Sequence, residues 1–131
     1  MGSHALMQKI PAAGKGAFVM RIMGVDPGYA IVGIGLLDYD NVRFSLVEYG
    51  AITTPAELPF ETRLRQIYDD MTELLTRYRP DAVAMEQLFF TTNRTTAIAV
   101  AEARGVLLLA AEQQGVPVFS YTPLQVKSAV V

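Results

Sequence analysis

The length, composition and charge of this sequence exclude several classes of protein. Its 131 residues contain no cysteine, are 51% apolar and carry a formal net charge of −2. This apolar content excludes a disordered chain, and the lack of cysteine excludes disulfides and thiolate metal sites. No apolar run reaches the length of a membrane span, so no membrane partner is expected, and the lack of cysteine fits a protein of the reducing cytoplasm. Because the net charge is slightly negative, binding to DNA would require a local basic surface.

Residues 1–19 are expected to be a leader outside the folded domain, disordered or non-native. Met1-Gly-Ser-His4 resembles a sequence added for expression, and Met20 directly precedes the first apolar strand as a natural start would. The segment has no sustained apolar stretch, so a signal peptide is not expected. His4 is the only histidine of the chain. No histidine base or metal ligand is therefore expected in the single domain formed by residues 20–131.

Three apolar segments at the start of this domain predict an antiparallel meander of strands. They are Arg21–Asp26, Ala30–Tyr39 and Val42–Thr53. Asp26, Pro27 and Gly28 predict a tight turn after the first segment, because Pro fixes its own φ and Gly tolerates a positive φ. Gly33 and Gly35 in the second segment have no side chains, so another group can approach this backbone closely.

The rest of the chain alternates between helical and strand patterns. Apolar residues at helical spacing predict a helix from about Phe60 to Tyr78, which Pro80 ends. The further predicted elements are a strand at Ala82–Glu86, a helix at about Thr95–Gln114 closed by Gly115, a strand at Pro117–Ser120 and a last helix capped by Thr122. The order β-β-β-α-β-α-β-α predicts an α/β domain with a mixed five-stranded sheet and helices on both faces.

Two of the predicted strands end in a carboxylate, the first in Asp26 and the fourth in Glu86. A right-handed crossover through the helix between them would make these strands parallel, so both acids would lie at one edge of the sheet. Hard divalent cations such as Mg²⁺ bind carboxylates together with waters and phosphate oxygens. The pair therefore predicts a shared cation site, and a two-metal arrangement there would hydrolyse a phosphodiester. From local sequence alone, Asp26 fits equally well as a residue that shapes the turn. An acid that simply faces solvent is the weaker alternative for Glu86, because the apolar run before it favours a partly buried position.

Five segments, taken in order, carry a resemblance to a known family. They are Ile22-Met-Gly-Val-Asp-Pro-Gly28 with Gly33, Arg79-Pro-Asp-Ala-Val-Ala-Met-Glu-Gln-Leu-Phe89, Ala103-Arg-Gly-Val106, Gly115-Val-Pro-Val-Phe119 and Gln125-Val-Lys127. Together they resemble the RuvC-type Holliday junction resolvases, endonucleases of the RNase H-like superfamily. The resemblance implies an RNase H-like fold and a structure-selective endodeoxyribonuclease that resolves four-way DNA junctions in recombination and repair. It also implies that Asp26 and Glu86 are catalytic and bind Mg²⁺, for which Mn²⁺ can substitute.

The same resemblance implies DNA contacts and partners. Phe89, in the loop after Glu86, corresponds to an aromatic residue that wedges into the opened junction, whereas Phe90 is expected to fold back into the core. Arg94 lies at the start of the long helix, where free N–H groups favour a phosphate. Lys127 matches a family lysine near the cleft. The family works as a homodimer on junctions that a branch-migration motor complex delivers.

Two surface features of the predicted helices have simple structural explanations, and the first also has a functional one. Ala97, Ala101 and Gly105 recur every fourth residue, which fits close packing on the sheet or, as the resemblance implies, the dimer interface. Four arginines of the first helix and its end are expected to lie on a solvated face: Arg63, Arg65, Arg77 and Arg79.

The sequence departs from the family at its end. In the family, a helix after the Gln125-Val-Lys127 segment supplies two further acids and completes a four-carboxylate cluster, with a Gly-rich basic stretch beside it, whereas this sequence stops at Val131. A C-terminally truncated chain with little or no nuclease activity is therefore expected. The alternatives are another RNase H-like nuclease of the YqgF type, an ATP-binding domain of the actin and sugar-kinase type, and a non-catalytic DNA-binding or dimerisation module.

Overall fold

The computed structural model describes residues 20–87 and 94–121 of the chain. Its elements are β1 (Met20–Asp26), β2 (Ile31–Tyr39), β3 (Phe44–Thr53), α1 (Phe60–Tyr78), β4 (Ala82–Glu86), α2 (Arg94–Gln113) and β5 (Val118–Tyr121). In this part of the chain, neither helix is long and apolar enough to cross a membrane. The expected leader and the expected last helix from Thr122 lie outside the described residues.

The five strands form one mixed sheet in the order β3-β2-β1-β4-β5. β2 pairs antiparallel with both β1 and β3, whereas β4 pairs parallel with both β1 and β5. The predicted mixed sheet is therefore confirmed, with strands one and four as parallel neighbours. β3 begins at Phe44 rather than at Val42, because the Asp40 carboxylate accepts the N–H groups of Val42 and Arg43 at 2.9 and 3.0 Å and holds them in a turn.

Alternate strand residues and both helices contribute to one hydrophobic core. Met23 and Val25 of β1 are fully buried, as are Val83 and Met85 beside them in β4. The helices contribute Ile67, Met71, Leu74, Leu107 and Ala110. The two described helices thus cover the face of the sheet to which Val25 and Met85 belong. A helix on the other face stays a prediction, since the last predicted helix is not among the described residues.

The helix ends turn the chain back toward the sheet. Arg79 follows α1 in the left-handed conformation, with φ of 46°, and donates its N–H to the carbonyl of Leu75 at 3.0 Å, immediately before Pro80. After α2, Gly115 has a φ of 72°, and the N–H of Val116 reaches back to the carbonyl of Ala111 at 3.0 Å, which is a Schellman motif. Both predicted stops are confirmed. Each returns the chain to a strand parallel to β1.

The expectation that Arg63 lies on a solvated face of α1 is wrong. Its side chain is buried, with 9% exposed, and hydrogen-bonds to Thr54. Three other arginines are exposed as expected: Arg65, Arg77 and Arg79. Helical periodicity relates Arg63 only to other residues of its own helix. It cannot reveal Thr54, which lies outside the helix.

Candidate functional site: a carboxylate pair at one edge of the sheet

Asp26 and Glu86 lie side by side at the carboxyl ends of two neighbouring strands. β1 and β4 run parallel, and their last registered pair is Val25 with Met85. The next residue of each strand is the carboxylate, and side chains alternate along a strand. Both acids therefore point to the face opposite Val25 and Met85. The convergence that the strand order predicted is confirmed.

The environment of Glu86 includes the carboxylate of Asp26. Partial burial raises the pKa of the Glu86 carboxyl, and the negative charge of Asp26 and a hydrogen bond with its carboxyl raise that pKa further. Asp26 itself is exposed at the rim. Two like charges on neighbouring strand ends favour either a shared proton or a bound cation between them.

The neighbour of Asp26 on its other side is a glycine. Gly33 of β2 is the registered partner of Asp26. A Cβ atom built at Gly33 would lie 3.3 Å from the Cβ of Asp26 and 4.0 Å from its Oδ2. The missing side chain thus leaves room directly beside the carboxylate, which agrees with the close approach expected at this glycine.

The turn after Asp26 needs a glycine for a steric reason. A Cβ atom at Gly28 would lie 2.1 Å from the carbonyl oxygen of Ile31, a contact that no side chain tolerates. The turn does not use the positive φ that Gly28 tolerates, since Gly115 is the glycine with a positive φ in the described ranges. The turn is tight because the backbone folds onto itself.

Tyr121 is a third polar residue of the site, and the sequence analysis missed it. It ends β5 in register with Glu86, and its carbonyl accepts the N–H of Gln87 at 2.7 Å. Burial raises the pKa of the Tyr121 hydroxyl, and the negative charges of Glu86 and Asp26 add to this. The hydroxyl therefore stays protonated at neutral pH. The sequence pattern predicts that the fifth strand ends at Ser120, so it does not place Tyr121 at the end of a strand beside Glu86.

The donor set at this edge fits part of a magnesium site. Within residues 20–87 and 94–121, no cluster of three or more His, Cys, Asp or Glu side chains is placed to hold a metal. A pair of carboxylates is nevertheless a usual protein contribution to bound Mg²⁺, with waters and substrate phosphate oxygens as the other ligands. The mutual repulsion of Asp26 and Glu86 gives such a cation a favourable position between them.

The structure places only one of the three predicted DNA-contacting residues. Arg94 is the first residue of α2 and is exposed. Phe89 and Lys127 lie outside the described residues. The described site therefore consists of the two acids with Gly33 and Tyr121 as their neighbours across the sheet.

Comparison with known proteins finds one family over most of the chain. The sequence model described as crossover junction endodeoxyribonuclease RuvC matches residues 22–131. The chain is 55% identical over 111 residues to the RuvC of Brevibacillus brevis, covering 85% of this chain and 67% of that relative. It is 56% identical over 108 residues to the RuvC of Thermotoga petrophila, covering 82% and 66%. The chain thus spans about two thirds of the length of these relatives.

Solved structures agree with this match. The chain is similar to T. thermophilus RuvC in complex with a Holliday junction substrate, with a TM-score of 0.77 and 35% identity over 85% of this chain and 69% of that one. The yeast mitochondrial Holliday junction resolvase Ydc2 shares the fold, with a TM-score of 0.60 and 15% identity over 83% and 53% of the two chains. The RNase H-like fold expected from the sequence is confirmed.

Proposed function

Since this chain belongs to the family of crossover junction endodeoxyribonuclease RuvC, we propose that it forms the core of an endonuclease that hydrolyses phosphodiester bonds in four-way DNA junctions. One observation carries the proposal. Asp26 and Glu86, 60 residues apart in a chain with this family match, meet at one edge of the sheet on neighbouring parallel strands. The family match also favours this function over a YqgF-type nuclease or an ATP-binding domain.

Asp26 and Glu86 would hold Mg²⁺, with Mn²⁺ able to substitute for it. When bound, the ion would supply an activated water and would stabilise the leaving oxygen of the phosphodiester. The two carboxylates would hold the cation at the rim, where Asp26 is exposed and accessible to a phosphate group. Gly33 leaves the space beside Asp26 free of side-chain atoms. The protonated Tyr121 hydroxyl, facing Glu86 from the next strand, is a hydrogen-bond donor and not a further negative charge.

DNA would be held by groups around this rim. Arg94 is the first residue of α2 and is exposed, and the positive end of the helix dipole there favours a phosphate. Phe89 would stack on a base of the opened junction, and Lys127 would contact a phosphate. The resemblance to the family supports both of these assignments, and the T. thermophilus relative solved with a junction supports the choice of DNA substrate.

We infer that the protein acts as a homodimer in the cytoplasm and receives junctions from a branch-migration motor. The dimer is supported by α2, whose outer side is apolar. Ala101 and Gly105 are exposed there, and they lie between Ile98, 59% exposed, and Leu109, 51% exposed. A second copy of the chain would bury this stripe. The motor and the cytoplasmic location are supported by the family resemblance alone.

A magnesium titration of the chain tests the metal site. Amide NMR shifts of Asp26, Gly33 and Glu86 should move with added Mg²⁺, and D26N and E86Q should each abolish these shifts. D69N, which changes an exposed carboxylate of α1, should leave them unchanged. Shifts that persist in both D26N and E86Q would contradict the site.

A non-catalytic junction-binding module is the second candidate function. Such a module would bind four-way DNA with equal affinity in the parent chain and in both variants, without added Mg²⁺.

A further inference from the structure

Among the residues that the structure describes, Arg63 is a buried cation that no carboxylate pairs with. Its side chain is on the inner side of α1 with 9% of its surface exposed. In the described part of the chain its hydrogen bonds go to a hydroxyl and a carbonyl, both of Thr54. Burying a charge is unfavourable unless a partner compensates it, and neutral acceptors compensate less than a carboxylate does. Core packing alone would be served as well by an apolar side chain of the same length.

The contacts of Arg63 lead to the turn that follows Asp26. Its Nε donates to the Thr54 hydroxyl at 2.9 Å, and that hydroxyl donates to the carbonyl of Tyr29 at 2.6 Å. The guanidinium carbon also lies 5.2 Å from the centroid of the Tyr29 ring, which is cation–π geometry. The N–H of Thr54 holds the carbonyl of Ala30 at 3.1 Å. One side chain of α1 thus fixes two consecutive residues of the turn through Thr54.

This turn begins directly at the predicted metal ligand. Asp26 is the last residue of β1, and its neighbour Pro27 opens the turn. The backbone of the turn is closely packed at Gly28, so the turn has little freedom to take another path. On the β4 side the registered pairs end at Val25, one residue before the acid. The direction of the Asp26 carboxylate therefore depends on the turn as well as on the sheet.

We propose that Arg63 is a positioning residue for Asp26, acting through Thr54 and Tyr29 on the turn of residues 27–30. The inference rests on the proposed function, because it assigns Asp26 as a metal ligand. Residues that orient metal ligands from outside the coordination shell typically change metal affinity by about 10–100-fold when they are removed. Loss of the Arg63 linkage should weaken Mg²⁺ binding by a factor in this range.

The experiment compares R63M with R65M. Methionine keeps the apolar length of the arginine at a buried position, whereas Arg65 is an exposed residue of the same helix whose side chain is 83% accessible. Two quantities are measured in the full 131-residue chain: the Mg²⁺ affinity from amide NMR shifts, and the hydrogen-exchange rate of the Thr54 amide. R63M should weaken Mg²⁺ binding at least 10-fold and speed Thr54 exchange at least 10-fold, and R65M should change neither. T54V removes the same linkage without touching the charge, and it should reproduce the loss of affinity.

Each outcome has a defined meaning. Unchanged Thr54 exchange in R63M would overturn the proposal whatever the metal does. Faster exchange with unchanged Mg²⁺ affinity would reduce Arg63 to a structural role. If R63M does not fold, T54V decides by the same two measurements. A parent chain that shows no Mg²⁺-dependent shifts at Asp26 and Glu86 would overturn the proposed function itself, and this inference with it.

Discussion

Gly33 lies beside Asp26 in the sheet, and because it has no side chain, the space next to the carboxylate is open. Replacing a strand glycine by alanine normally stabilises a protein by about 0.5–1 kcal/mol, because the unfolded chain loses conformational freedom. At Gly33 the new Cβ would lie 3.3 Å from the Cβ of Asp26, so the acid would have to move by a few tenths of an ångström. G33A should therefore gain little stability and should weaken Mg²⁺ binding.

The matched control for this prediction is G35A, two residues along the same strand. A Cβ atom at Gly35 would meet nothing within 4 Å. G35A should raise the free energy of unfolding by about 0.5–1 kcal/mol and leave Mg²⁺ affinity unchanged. Thermal unfolding and magnesium titration of both variants check this. Equal stability gains together with equal affinities would show that the space beside Asp26 has no role in the site.

At the scale of elements, α2 has an unusual distribution of apolar residues. Its inner side buries Ala103, Leu107 and Ala110, and its outer side still exposes Ile98 and Leu109. If the outer stripe forms the homodimer interface, I98E should shift the chain toward the monomer, because a charge would be buried without a partner. Light scattering over a range of concentrations measures this. V42E changes a residue that is 83% exposed in the β2–β3 turn, and it should leave the dimer intact. A parent chain that is monomeric at high concentration would contradict the interface.

The elements were predictable where the signal was local. The bounds of α1 and β4 agree with the sequence pattern because Pro80 and the apolar run Ala82–Met85 are marked by neighbouring residues. Those of β1, β2, β3, α2 and β5 differ from it by one or two residues. The meeting of Asp26 with Glu86 followed from the crossover rule. Tyr121 and Arg63 could not be placed in this way. Their functional neighbours come from strands and turns distant in sequence, and only the folded packing brings them together.

At the scale of the whole molecule, the parallel placement of β4 and β5 beside β1 gathers three strand ends at one edge. Two of these ends carry carboxylates and the third carries Tyr121. No residue outside the described ranges is an aspartate or a glutamate, so no further acid can join the pair from residues 1–19, 88–93 or 122–131. In the described part of the chain no third acid is placed beside the pair either. The 131-residue polypeptide therefore offers two carboxylates to the proposed magnesium site.

A two-carboxylate site should bind Mg²⁺ but hydrolyse DNA poorly, because fewer fixed charges position a second ion on the opposite side of the phosphodiester. We expect the 131-residue chain with Mg²⁺ to cleave a four-way junction no faster than its D26N variant. Binding to the junction should still fall with rising salt, since phosphate contacts release counterions. Gel assays with a four-way junction and a linear duplex of the same sequence measure both quantities. Robust cleavage by the parent chain that D26N and E86Q abolish would contradict the expected inactivity, and it would show that two acids and the DNA suffice to hold the catalytic metal.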